Sequence, residues 1–365
     1  MQRIKILDSC RGLAALIVVF HHVYTRFQNL FANKFTGWFQ NILQFISDMN
    51  EQAVLFFFFL SGFSICLSVR NGLPVSKNTF NDYTYRRLKR ILPPYYFAIA
   101  FTFFCGLLIN AITANDDFNL KTLLGNIFFL QSSKSYKGNW FAPYGDNGPL
   151  WSLSFEMFYY FLLPVFLLLV FKCCKTNKLT APINRIALIA SFTISVICVL
   201  LNKFFFFPYI AFAALFFVWY AGYFVAIVYL QKNIALDKNF FLVLLITIVL
   251  FVMNYVSPSA TLNKLFFGAA IATVFFILYF LRKKLRVPLL TNIESGFNFF
   301  FYAAGTGSYV LYLLHYPLLM VLRKQENLAL WQLLGAVILF NFFCIWLERF
   351  FVRKKWLFLR MQYLK

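Results

Sequence analysis

Ten stretches of this chain are apolar and long enough to cross a bilayer, at residues 12–32, 51–70, 91–113, 149–171, 186–202, 204–230, 239–256, 264–282, 304–322 and 328–350. A hydrocarbon core about 30 Å thick takes roughly 20 residues of α-helix, each rising about 1.5 Å. A soluble core has no room for ten such runs. They do not alternate apolar and polar residues as barrel strands do, and a helix satisfies its own backbone polar groups, as lipid requires. The expectation is an all-α polytopic membrane protein, a bundle of about ten transmembrane helices forming one integral-membrane domain over residues 1–365, with no soluble domain. Composition agrees: charged residues are 13% of the chain, about half the share in a soluble domain, and its 52 phenylalanines suit lipid better than water. The run 204–230 is long enough to tilt or kink at Pro208, and Asn202-Lys203 leaves room only for a tight turn. The N-terminal run is expected to remain as a helix, because His21, His22, Tyr24 and Arg26 stand where a signal peptide would have small residues at its cleavage site.

A formal charge of +22 raises the question of nucleic acid. The distribution argues for a lipid bilayer instead. With the N-terminus cytoplasmic, the inside segments carry 25 of the 34 Lys and Arg residues and the outside segments 9. That bias alternates along the chain, so both termini are expected on the cytoplasmic side, with an even number of spans. No nucleic-acid partner is expected. The longest outside segment, 114–148, contains "LKTLLGNIFFLQ", which is too short to span and reads as a dipping or surface helix. The seven cysteines are scattered without a CxxC pair, so free thiols are expected, with no disulfide framework and no metal site.

Two of only three histidines lie side by side in "RGLAALIVVFHHVY". A helix turns about 100° per residue, so the eleven steps from Arg11 to His22 make three turns plus about 20°, and the two share a face. His21 falls about 80° away, and Asp8 about 60° from Arg11 on the His22 side. If the hydrocarbon begins near Gly12, His22 lies about 15 Å deep. An ionisable group at that depth is costly and normally faces a polar cavity, and imidazole is suited to taking and returning a proton near neutral pH. His22 therefore stands as a candidate base against the plainer reading of a helix-to-helix hydrogen bond, while His21 reads as structural.

In "DYTYRRLKRILPPYY", four basic residues precede Pro93 and Pro94, which fall in the expected first turn of the third span. Arg87 and Arg90 share a face. They read either as an anchor for anionic lipid or as forks matching phosphate oxygens. "PLWSLSFEMFYY" puts Glu156 in apolar surroundings five residues after the interface aromatic Trp151, with Ser152 between them. Such a carboxylate orients a histidine, binds a sugar hydroxyl or simply contacts a loop. "GSYVLYLLHYP" supplies Tyr309, Tyr312 and His315, the last two facing one way, and Ser61-Gly62 in "FFFFLSGFSI" reads as helix packing.

Together these stretches resemble the acyltransferase-3 family of membrane O-acyltransferases, in the family's order and over nearly the whole chain. "LDSCRGLAALIVVFHH" is similar to its opening helix, with ten residues between Arg11 and His22, and "FFFFLSGFSI" resembles its second helix. "RRLKRILPPYY" resembles its Arg-x-x-Arg-Ile-x-Pro turn, "LWSLSFEMFYY" its Trp-Ser-Leu-x-x-Glu motif, and "GSYVLYLLHYP" its Ser-Tyr-x-x-Tyr-x-x-His-x-Pro helix. The resemblance implies transfer of an acyl group, acetyl first among candidates, from cytoplasmic acyl-CoA to a hydroxyl of a cell-surface polysaccharide or lipid-linked sugar. It implies Arg11, Arg87 and Arg90 on the phosphates of the donor, His22 as general base and Glu156 as a second catalytic group. Asp8, Trp151, Ser152, Tyr309, Tyr312 and His315 then serve as substrate or structural support. A covalent acyl-enzyme is the alternative mechanism. The competing classes are a transporter or flippase of an envelope precursor, which release of coenzyme A thiol discriminates against, and a scaffold, in which substitution of Arg11 or His22 is silent.

Overall fold

The computed structural model describes residues 4–69, 73–112, 116–133, 140–202, 208–230, 236–284 and 288–353. Among them there is no strand. Fifteen helices follow in order: α1 (Lys5–Arg26), α2 (Gln28–Ala32), α3 (Trp38–Asp48), α4 (Asn50–Val69), α5 (Lys77–Leu108), α6 (Leu120–Ile127), α7 (Trp151–Cys173), α8 (Ala181–Asn202), α9 (Pro208–Ala214), α10 (Phe216–Leu230), α11 (Leu236–Val256), α12 (Ala260–Lys284), α13 (Pro288–Thr306), α14 (Ser308–Leu322) and α15 (Leu330–Arg353). Among the described residues, nine candidate spans are long and apolar enough to cross a membrane, ten if the bent pair α13–α14 counts as one more. The expected turn at Asn202-Lys203, the part of the 114–148 segment at 134–139 and the chain beyond 353 fall wholly or partly outside the described residues.

Helix α10 is apolar on every side, and it sits in the middle of the bundle, with Phe216, Trp219, Tyr220 and Phe224 fully buried. Helices α11 and α15 lie at the edge, where Phe251, Leu339 and Phe342 are exposed. In lipid such side chains are in a matching solvent. The closest packing is made by glycines. A Cβ on Gly62 of α4 would run into the carbonyl of Trp219, and one on Gly222 of α10 into that of Phe59. The same holds between α1 and α13, where Gly12 meets the Phe301 carbonyl and Gly305 meets that of Asp8. Small residues let membrane helices approach until their backbones touch. These two crossings lock α4 and α1 at the turns that carry Ser61, Ser64 and Arg11.

Three boundaries differ from the sequence expectation. Helix α5 starts at Lys77, fourteen residues before the expected 91, because Ser76 and Thr79 form a reciprocal capping box. Pro93 and Pro94 are therefore in the helix interior, not its first turn, and the basic run before them belongs to the same helix. Proline has no N–H, so the carbonyls one turn earlier, on Lys89 and Arg90, lose their helical donors. The first span runs over Lys5–Arg26, seven residues earlier than expected, with the short α2 after it. The expected span at 304–322 is the second arm of a broken pair: Asn292–Thr306 and Ser308–Leu322 meet at 64°. The break falls at Gly307, and Glu348 of α15 accepts from the backbone N–H of Val310 at 3.1 Å. A carboxylate there satisfies one of the donors left open at a helix start and complements its dipole.

Candidate active site

A cavity of about 100 Å³ lies where α1, α4, α5, α7 and α14 meet. Arg11 enters from α1, Ser61 and Ser64 from α4, Arg87 and Arg90 from α5, Ser152, Glu156 and Tyr160 from α7, and Tyr309 and Tyr312 from α14. The three arginines named from the sequence thus reach one space, although α1 and α5 are far apart in the chain. Helix periodicity does the local work: Arg87 and Arg90, and likewise Ser61 and Ser64, are three residues apart and project one way.

Charge in the cavity is unbalanced. Arg11 Nη1 reaches Asp8 Oδ1 at 2.9 Å, and its Nη2 donates to Ser64 Oγ. Glu156 is engaged by hydroxyls: Ser61 Oγ donates to Oε1 at 2.6 Å and Tyr160 OH donates to the same atom. The Trp219 indole N–H donates to Ser61 Oγ at 3.3 Å, so the central helix α10 also holds the serine. Arg87 Nε is buried without a hydrogen-bond partner. No carboxylate pairs with Arg87 or Arg90 among the described residues. Two guanidinium groups, one with a buried orphan N–H, make a strong demand for an anion with acceptor oxygens.

A second cluster forms around His22. Its ring stacks on His315, centroids 5.3 Å apart and planes at 27°, and meets the Tyr316 ring edge-on at 5.1 Å. The Arg26 guanidinium covers Tyr316 at 4.0 Å and lies 3.6 Å from Asp146 Oδ2. His22 makes no hydrogen bond among the described residues. His315 is only 2% exposed. Its Nδ1 lies 3.0 Å from the Leu311 carbonyl, which can only accept, so Nδ1 carries the proton and Nε2 the lone pair. That Nε2 has no partner. His21 turns away and donates from Nδ1 to the Ser47 carbonyl at 2.9 Å, tying α1 to α3.

Tyr312 belongs to both groups. Its hydroxyl is 2.8 Å from Ser152 Oγ in the cavity wall, and its ring is 6.1 Å from that of His315. Tyr309 lines the cavity and donates to the Ile91 carbonyl at 3.3 Å. Trp151 stands outside the cavity lining and packs on Phe155 at 5.1 Å and Phe58 at 6.3 Å. Glu156 makes no hydrogen bond with His22; its partners belong to the arginine cavity. In the sequence Tyr160, Ser64, Arg26 and Tyr316 do not stand out as site residues, and Ser61 reads as packing alone. Spacing held part of the signal, since Tyr160 and Arg26 lie one helical turn after Glu156 and His22.

The sequence profile of one protein family, described as an acyltransferase domain, matches residues 4–349. Comparison with curated proteins and with solved structures finds no match.

Proposed function

This chain belongs to the acyltransferase-3 family and is a membrane acyltransferase, and from that premise we propose that it moves an acetyl group from cytoplasmic acetyl-CoA to a hydroxyl of a cell-envelope carbohydrate. The observation that carries this reading is the convergence of Arg11, Arg87 and Arg90 on one cavity, two of them without a carboxylate partner. Family membership favours this over the transporter reading. The reading takes both termini as cytoplasmic, following the Lys and Arg bias, and the membrane as a bacterial inner membrane, as the family resemblance implies.

The residues fit the donor. The diphosphate and phosphate of coenzyme A are anions with the acceptor oxygens that Arg87 and Arg90 lack, and arginine forks match them in geometry. When bound, the donor supplies an acyl carbon activated as a thioester. His22, whose ring nitrogens have no hydrogen-bond partner among the described residues, takes the proton of the acceptor hydroxyl as that oxygen forms its bond to the acyl carbon. The carbon–sulfur bond breaks, and His22 returns the proton to the departing thiolate. Tyr312 stands between the two clusters as the hydroxyl that polarises the thioester carbonyl. Glu156 fixes Ser61 and Tyr160 in the cavity wall and acts through them. Holding both substrates in one site, away from water, supplies the proximity contribution.

The test is purified protein in lipid nanodiscs, given acetyl-CoA and envelope polysaccharide stripped of its esters by mild base. Thiol release that depends on the polysaccharide, with acetyl recovered on it, is the expected result. No thiol release with any carbohydrate overturns the reading.

A further inference from the structure

His315 is left over by this mechanism: a buried imidazole, stacked on the proposed base, with its tautomer fixed and its one lone pair unanswered. Burying an acceptor without a donor costs free energy. The Leu311 carbonyl holds Nδ1–H, so Nε2 can only accept. The His22 ring stacks against it with planes at 27°, a geometry in which neither ring donates to the other. The Tyr312 hydroxyl lies 2.8 Å from Ser152 Oγ and makes no hydrogen bond to this nitrogen. What the position lacks is an O–H or N–H donor from outside the protein.

A hydroxyl has one proton. If the reacting hydroxyl gives its proton to His22, the group that donates to His315 must be a different one. Resting on the function proposed above, we propose that His315 Nε2 receives a second hydroxyl of the acceptor, so that the paired rings of His22 and His315 read two hydroxyls of one sugar. With centroids 5.3 Å apart, the two rings lie within the reach of one sugar residue. His22 acts on the hydroxyl that is acylated. His315 accepts a hydrogen bond from its neighbour and so fixes which hydroxyl faces the thioester. No covalent bond forms at His315, and no proton is transferred to it. A second buried acceptor lies on the adjoining loop: Asn147 donates from its amide to the Leu313 carbonyl at 3.1 Å, while its Oδ1 has no partner. This end of α14 is short of donors at two points, as a site for a polyhydroxyl ligand would be. A site built to bind a hydroxyl discriminates strongly against ligands lacking it.

The test uses His315→Asn and His315→Gln in the nanodisc assay, with base-treated envelope polysaccharide as acceptor. Asn keeps an amide N–H near Nδ1 for Leu311 and removes the acceptor at Nε2; Gln returns an acceptor there. His315→Asn is expected to raise KM for the polysaccharide about ten- to hundred-fold, with KM for acetyl-CoA within about two-fold of wild type. His315→Gln is expected to recover at least part of that loss. Equal losses in both variants with KM for acetyl-CoA also raised, or His315→Asn transferring as wild type does, overturns the inference. Thermal melting of each variant separates misfolding from lost recognition, and a melted His315→Asn with an intact His315→Gln of wild-type polysaccharide KM counts for it. An inactive wild-type protein would instead end the functional reading itself.

Discussion

The imidazoles of His22 and His315 lie stacked 5.3 Å apart, one from the first helix of the chain and one from the arm after the break at Gly307. His21, next in sequence to His22, is bonded away to Ser47. The two adjacent histidines therefore have separate tasks, and substitution separates them. His22→Ala is expected to lower kcat by about 10²- to 10⁴-fold, the usual range for a general base, at unchanged protein level. His21→Ala is expected to keep kcat within a few-fold and to cost about 1 kcal/mol of stability through its lost hydrogen bond. Thiol release and thermal melting measure the pair; the reverse pattern would assign the chemistry to His21.

Arg87 carries a buried Nε with no protein partner. A lysine there keeps the charge and loses the fork, so Arg87→Lys is not conservative. A rise of roughly ten-fold or more in KM for acetyl-CoA is expected, with KM for the polysaccharide unchanged. Equal effects on both substrates would place Arg87 outside the donor site.

Backbone contact at the α1–α13 crossing leaves no space at Gly12. Gly12→Ala is expected to destabilise by about 1–3 kcal/mol, as overpacking does, and to disturb the neighbouring Arg11. Gly335 of α15 has open space around a Cβ, so Gly335→Ala is expected to be neutral or to stabilise by about 0.5–1 kcal/mol. Melting temperatures in detergent compare the two directly.

Tyr160 and Ser61 both donate to the same oxygen of Glu156. Tyr160→Phe removes one donor to a carboxylate and is expected to cost about 1.5–3 kcal/mol, seen as a lower melting temperature. Through the altered cavity wall it should raise KM for acetyl-CoA more than it lowers kcat. A fall in kcat alone would tie Glu156 to the chemical step.

The spans were legible because lipid imposes a length and a composition that a sequence displays openly. Less visible were the places where polar residues continue a helix. Residues 77–90 look like a charged loop, yet the Ser76 cap carries α5 through them and past Pro93 and Pro94. The bend at Gly307 was hidden for a similar reason: "GTGS" does not reveal that Glu348, from another helix, caps a new start there. In the site, spacing within one helix was readable for Arg87 and Arg90, which line one cavity, whereas Arg11 and His22, expected on one face, belong to different clusters. Contacts between helices were not readable. Nothing in sequence separates the arginine cavity, where Glu156 lies, from the histidine pair, where it does not.

The most direct test of this division of labour measures acetyl-CoA binding and acyl transfer on the same nanodisc preparations of wild type, His22→Ala and Arg87→Ala. His22→Ala is predicted to bind acetyl-CoA with wild-type affinity and transfer nothing, while Arg87→Ala binds it about ten-fold or more weakly. Lost donor affinity in His22→Ala, together with wild-type affinity in Arg87→Ala, would contradict the account.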